Sequence, residues 1–522
     1  MPAALRWLFV LVALSCALLV GANHYLLRTN AYDLGIYTQA LWDYAHGRVN
    51  VNSIMRYNNL LGDHFSPQVL FWVPLHWVLG AWTLLVVQAA AVLAGGYGAY
   101  RLHLLRSGQQ QPGAAVAVAG QFWACWGIWA ALAFDYHDNV VAALLLPWVF
   151  YWFEQDRRGR SAAAFGVLLL SKESVALWLV FVALGLAWLH WQRPARRWLA
   201  LGLAAGAAGY FVVVTKVVIP ALSGQAAYLY EQRYAAVGGT FGQMLHTAFT
   251  RPLYVLGLLF RNHLPSADGD YVKLELHLMV LLSGGYALLR RPQYLLMLVP
   301  IYAQKLFSNE VMHWGLNYQY SIEFVPVVSA ALSQWLAAGA GPRRAGRLAV
   351  GAALLTLAAT GVSLQVRRSP WYDKSTAQFY KARHFRREWA VAPVYAALAQ
   401  VPATAAVSAS SSAVPHLAER PYIFMFPYVG TANYLLLLPA DKPYPLTAAG
   451  LRRRVAYYRH SPAWQVLADH PEVLLLRRRR PVPAPARRYF AQRASISADT
   501  TAADAGLAPA LPALPARPAP TY

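Results

Sequence analysis

Apolar runs of about 18 to 22 residues recur between residues 1 and 365, each long enough to span ~30 Å of hydrocarbon as a helix. Only 13% of the chain is charged and 58% is hydrophobic, whereas a soluble domain carries about 25% charged residues. Residues 366–522 hold no run of that length and are rich in Arg, Pro and Ala. The pattern predicts an α-helical polytopic membrane domain over 1–365 with a water-soluble C-terminal part. The formal charge of +23 does not point to nucleic acid, because the arginines sit in short clusters between apolar runs, where they set topology. Cys16 and Cys125 both lie inside apolar runs, so neither a disulfide framework nor a metal-type cysteine spacing is expected. Arg6 followed by Trp7 to Val20 reads as an uncleaved signal anchor and hence as the first span.

Basic clusters mark the cytoplasmic side of a membrane protein. Here they are Arg101 to Arg106, Arg157 to Arg160, Arg193 to Arg197, Arg290-Arg291 and Arg343 to Arg347. With these inside, the spans fall at about 5–22, 81–100, 114–133, 139–153, 161–171, 174–190, 198–219, 274–290, 293–307, 320–338 and 347–365, about eleven crossings. The stretches 66–80 and 251–260 read as re-entrant or interfacial pieces. A consequence follows that was not imposed. Asp33, Asp63-His64, Asp135 to Asp138, Lys172-Glu173 and His313 all fall at or near external span ends. Ionisable groups at membrane depth are costly and mark substrate paths or catalytic sites.

The first external loop, 23–66, carries Asn30 to Gly47, whose apolar positions 34, 37, 41 and 44 share one helical face. Asn30 or Asp33 can cap that helix by accepting from free backbone N–H groups; alternatively Asp33 is a carboxylate general base. Asp63-His64 before Ser66-Pro67 is either a helix start or a ligand pair for a metal or phosphate. Asp135-Tyr136-His137-Asp138 repeats an Asp/His pairing at a hairpin, where solvated turn residues are the alternative. Lys172-Glu173 interrupts an apolar stretch and either caps adjoining helices or holds a phosphate as a point charge. Arg56 and His313 are further candidate contacts, while the aromatic residues around His313 suit an interfacial belt.

From about 370 to 480, short buried strands at 405–410, 422–425, 434–438 and 473–476 alternate with helices at 393–400 and 448–458, predicting a small α/β unit. After Pro481 the chain is Pro/Ala/Arg-rich without periodicity and is expected to be disordered. The expected organisation is thus 1–365 membrane domain, 366–480 α/β domain on the external side, and 481–522 tail.

At Tyr32-Asp33-Leu34-Gly35-Ile36, Gln39-Ala40-Leu41-Trp42, Leu61 to Pro67, Lys172-Glu173, Val407-Ser408-Ala409, Pro415 to Arg420 and Phe426-Pro427 the sequence resembles the DUF2079 group of bacterial polytopic membrane proteins. That group is similar in turn to GT-C-type glycosyltransferases, which use lipid-linked sugars. The resemblance implies a GT-C-like membrane domain in the bacterial cytoplasmic (inner) membrane. It further implies membrane lipid and a polyprenyl-phosphate sugar donor as partners, with the active face extracytoplasmic. By position Asp33 matches the acidic residue that the wider class carries in its first external loop, as base or metal-associated carboxylate. Asp63, His64, Arg56, Asp135, His137, Lys172, Glu173 and His313 are the candidate substrate contacts. The absence of a tight Asp-x-Asp pair leaves a divalent cation open. The expected activity is transfer of a sugar from the lipid-linked donor; a transporter or flippase for a lipid-linked or anionic solute is the alternative, and it requires Lys172-Glu173 at mid-depth.

Overall fold

The computed structural model describes residues 1–55, 59–223, 231–339 and 341–483. Arg56 and the segment after residue 483 lie outside the described residues. A helix stands at each expected span position. They are α1 (Ala3–Tyr25), then α4 (Thr83–Arg106) after the shorter helices α2 (Ile36–Ala45) and α3 (Val73–Leu79). Next come α5 (Pro112–Ala124), α6 (Trp126–Leu132), α7 (Asp138–Glu154), α8 (Arg158–Leu169) and α9 (Glu173–Leu189). The remainder are α10 (Pro194–Val213), α11 (Val272–Val280), α12 (Pro292–Leu306), α13 (Phe324–Gly339) and α14 (Pro342–Val366).

Helix length does not by itself confirm eleven crossings. Among the described residues, five helical stretches are long and apolar enough to cross a membrane, six if α5 and α6, bent by 44°, form one span. The five are Ala3–Tyr25, Pro67–Arg106, Pro194–Ser223, Ala267–Arg290 and Pro342–Val366. At 1.5 Å per residue, α7, α8, α9, α12 and α13, of 12 to 17 residues, are shorter than the hydrocarbon is thick. The eleven expected segments are therefore eleven helical positions rather than eleven full-length spans. The stretch 66–80 is a 3-10 turn (Pro67–Trp72) and the seven-residue α3, broken from α4 at Gly80, whose φ of +52° lies in the region open to glycine. Helix α3 packs on α2, and Trp77 Nε1 donates to the Ala45 carbonyl at 3.2 Å.

Helix α13 runs through the middle of the bundle against α4, α5, α7 and α12, while α5 pairs with α14 and α9 packs between α10 and α12. Small residues permit the closest crossings. A Cβ on Gly95 would strike the Leu144 carbonyl, and one on Gly127 would lie 2.8 Å from the Ser321 carbonyl. Without a hydrophobic drive between helices in lipid, such contacts supply the association.

The two ends of the bundle differ in chemistry. At one end Arg106 grips Glu154 through Nε (2.9 Å) and Nη2 (2.5 Å) and reaches the Tyr294 hydroxyl; nearby, Arg196 grips Asp156 at 2.5 Å. At the other end stand Asp33, the 135–138 turn, Lys172 and Glu173, so the basic clusters and the mixed polar motifs are separated along the bundle axis.

The C-terminal part holds a five-stranded sheet of order β2-β1-β3-β5-β4: β1 (Val407–Ala409), β2 (Ile423–Met425), β3 (Tyr434–Leu437), β4 (Trp464–Asp469) and β5 (Leu474–Arg478). Strand β1 is parallel to both neighbours, and β5 is antiparallel to both of its own. Strand alternation sends Leu435, Leu437, Leu474 and Leu476 to a core under α16 (Ala448–His460), and Leu436 and Leu475 to the main core with α15 (Ala392–Ala399). The sheet face toward the membrane domain is thus continuous with that domain's core.

Candidate functional site

Residues Ala31–Gly35 form one wide π-type turn ahead of α2, and Asp33 on it is 4% exposed. Neither Asn30 nor Asp33 caps the helix with its side chain. The acceptor comes from elsewhere: Asp135 Oδ2 takes the Asn30 N–H at 2.7 Å and the Leu34 N–H at 3.5 Å. This frees the Asp33 carboxylate, whose Oδ1 lies 3.1 Å from His137 Nε2. The other ring nitrogen, Nδ1, is 3.2 Å from the Asp135 carbonyl, and Phe134 stacks on the imidazole at 5.6 Å. One short turn therefore fixes both the loop that carries Asp33 and the ring that faces it. Burial, and then the neighbouring Asp33 charge, push the Asp135 carboxyl well above the usual carboxylate range.

A second constellation lies behind the first. Glu173, at the start of α9, accepts from His64 Nδ1 at 2.9 Å and from the Phe65 N–H at 3.2 Å. It pins the end of the first loop to a helix N-terminus, where a carboxylate is favoured. Tyr136 donates to Asp138 Oδ1 at 2.5 Å and accepts from Trp72 Nε1 at 3.2 Å. Lys172 is half-buried, and its charge bears on Asp138, Glu173 and Glu323. Asp63 ends the helical turn Leu60–Asp63 beside it, half-buried. His313 sits in a third network: its Nδ1 meets Ser308 Oγ at 2.7 Å, its ring packs edge-on to Tyr320 at 4.4 Å, and its carbonyl accepts from Lys305.

A cavity of about 820 Å³ opens between the membrane domain and the C-terminal part. Of the eight candidate residues that are described, only Asp33 lines it. Its remaining wall was not signalled by the sequence: Arg28, Tyr318, Arg367, Trp371, Asp373 and Asp441 come from segments up to about 400 residues apart. The C-terminal part docks directly on the Asp33 turn. Ser411 Oγ accepts from the Ala31 N–H at 3.3 Å, and a Cβ on Gly35 would lie 3.0 Å from Val414. Arg28 reaches across to the carbonyls of Ser375 (2.9 Å), His384 (2.7 Å) and Arg386 (2.6 Å). Arg387 pairs with Asp441, which also accepts from Ser412. Asp373 is held near 2; its burial opposes this, but the Lys442 and Ser375 hydrogen bonds prevail. The turn Trp371-Tyr372-Asp373, an aromatic-acidic run just after the last apolar stretch, is the local signal that marks this wall.

The carboxylates do not present a cation site. Among the described residues no three His, Cys, Asp or Glu side chains group as metal ligands. Asp33 Oδ1 faces a ring nitrogen and Asp135 Oδ2 faces two N–H groups, so the donor set does not fit a divalent ion.

The family model described as a predicted membrane protein (DUF2079) matches residues 23–476. The chain belongs to the DUF2079 family. That match spans the Asp33 turn, the bundle and the sheet, so the site lies wholly within the shared region. No curated protein matches significantly. Among solved structures, this DUF2079 protein is similar to ArnT from Cupriavidus metallidurans bound to undecaprenyl phosphate, with 13% identity and a TM-score of 0.48 over 91% of this chain and 98% of that one. The apo state of the same ArnT gives 13% identity and a TM-score of 0.38 over the same shares.

Proposed function

We propose that this DUF2079 protein is a membrane glycosyltransferase that takes a sugar from a polyprenyl-phosphate donor at the outer face, with Asp33 as general base. One observation carries the reading: Asp33, alone of the described polar motif residues, borders the 820 Å³ cavity, and its carboxylate is oriented there by His137. In the proposed reaction an acceptor hydroxyl gives its proton to Asp33 as its oxygen bonds to the anomeric carbon. The bond from that carbon to the donor's phosphate oxygen breaks, and the phosphate leaves with the electron pair. Positive groups near the leaving phosphate stabilise the charge it gains; the arginines of the cavity wall, Arg367 among them, are suited to this, whereas Lys172 stands outside the cavity among Asp138, Glu173 and Glu323. His137 keeps the Asp33 oxygen aimed, a positioning role. The external placement of the C-terminal domain belongs to the same proposal.

The test is sugar transfer in membranes or nanodiscs from a radiolabelled polyprenyl-phosphate sugar. Asp33→Asn, which keeps size and a hydrogen-bonding oxygen, is expected to lose about 10²- to 10⁴-fold in rate while its melting temperature stays near wild type. An Asp33→Asn protein that folds normally and transfers sugar at the wild-type rate sinks the proposal.

A further inference from the structure

The far wall of the cavity has a composition that general-base chemistry does not require. Six cationic side chains line it (Arg28, Arg367, Arg383, Arg386, Arg387 and Lys442) against four carboxylates. Two of those carboxylates are already matched, Asp373 by Lys442 and Asp441 by Arg387. Arg28 spends its donors on backbone carbonyls. Arg383 donates to Gln378, and Arg367 spends Nε on Ser363 and Nη1 on Leu316 and Asn317, which leaves one nitrogen of Arg367 and the Arg386 side chain. Nη2 of Arg367 is buried without a protein acceptor, and the exposed Arg386 side chain makes no hydrogen bond or ion pair among the described residues. A buried donor without an acceptor, such as Arg367 Nη2, is uncommon and costly to leave unmade.

The backbone around these arginines is strained as well. Of the six non-glycine residues with positive φ among the described residues, three line this cavity: Leu27 (+52°), Tyr318 (+59°) and Trp371 (+57°). Side-chain-bearing residues held in that region are strained and gather at ligand sites. Here the strain accompanies an aromatic wall. Trp371 is 61% exposed, Tyr318 packs edge-on against Phe134 at 4.5 Å, and Arg367 lies over Tyr372 at 4.5 Å. Flat aromatic faces suit the C–H faces of a sugar ring, and a free guanidinium suits a planar or tetrahedral oxyanion.

We propose that the wall formed by Trp371, Tyr318 and Arg386 binds a sugar carrying a carboxylate or phosphate, with Arg386 as the specificity-determining contact. The inference rests on the glycosyltransferase reading and narrows it to an anionic sugar unit.

The experiment follows the melting temperature of the purified full-length protein with glucuronate, glucose 6-phosphate, glucose, inorganic phosphate or a short polyprenyl phosphate, at equal concentration and ionic strength. Wild type is expected to be stabilised more by the two charged sugars than by glucose or inorganic phosphate. Arg386→Gln is expected to melt like wild type without ligand, since the side chain has no protein partner to lose, and to show no such difference. Arg453→Gln, on the distant face of α16, is expected to keep it. Equal shifts from glucose and glucuronate, shifts that survive Arg386→Gln, or no shift with any probe overturn the proposal. An Arg386-dependent shift from inorganic phosphate or polyprenyl phosphate alone assigns the contact to the donor's phosphate and also overturns it. Asp33→Asn keeps the charged-sugar shift if the two ideas are separable; its transfer rate tests the catalytic reading independently.

Discussion

Asp33 and Asp135 are neighbours with divided tasks. Asp135 is fully buried and holds the backbone of the Asp33 turn, and burial together with the Asp33 charge favours its protonated form. The folded chain therefore binds this proton more tightly than the unfolded chain, for which 3.8 is the ordinary value. Stability is thus fullest below that value and falls as pH rises from it through the raised value. Asp135→Asn retains an oxygen for the Asn30 and Leu34 N–H groups and removes the titration. Melting temperature followed from acid to mildly alkaline pH should fall less steeply in Asp135→Asn than in wild type; identical slopes would show that Asp135 does not titrate in this way. The Asp and His residues of the pair stood out in the sequence because charges are scarce in this chain. Their mutual arrangement did not, because the 104 positions between Asp33 and His137 leave no local pattern to read.

Among the elements, the N-terminus of α9 and the α4–α7 crossing are the sensitive points. Glu173 ties two groups of the loop between α1 and α4, His64 and Phe65, to α9. Glu173→Ala should cost about 1–3 kcal/mol, read as a lower melting temperature together with faster proteolysis between residues 46 and 66. At the crossing, the Leu144 carbonyl occupies the space a Gly95 side chain would need. Gly95→Val should therefore cost about 1–3 kcal/mol or more through overpacking; a variant as stable as wild type would mean that the helices are further apart than described. Helix positions were legible because apolar run length is a local signal. Whether each run spans the hydrocarbon was less so. Breaks such as Gly80 and Cys125, where α5 gives way to α6, depend on neighbouring helices rather than on the run itself. Strand β4 was missed because its apolar residues do not alternate with burial: Val466 is exposed while Gln465 is half-buried, and the ladder is irregular between Val466 and Ala468.

For the whole molecule, the cavity exists only where two halves of the chain meet. Arg28 at the exit of α1 bonds three carbonyls in the 375–386 segment. Arg28→Ala should loosen this seam, giving earlier melting and faster tryptic cleavage at Lys374 and Lys381 while the bundle itself resists digestion; unchanged cleavage would place the holding force in other contacts across it, such as Ser411 with Ala31, Arg387 with Leu26 and Ser53 with Ile423. This seam was the least legible part of the sequence. The residues that build it, such as Ser411, Ser412 and Asp441, are ordinary loop residues until folding sets them against the Asp33 turn.

That seam also sets a timetable. Asp33 leaves the ribosome about 400 residues before Asp441, which at bacterial and eukaryotic synthesis rates is an interval of about 20 to 80 s. Throughout it the Asp33 loop waits for the groups that complete it, Asp135 first and Ser411 and Asp441 much later. The chamber closes only when the segments from Arg367 to Tyr444 have reached the side of the membrane where the first loop already waits.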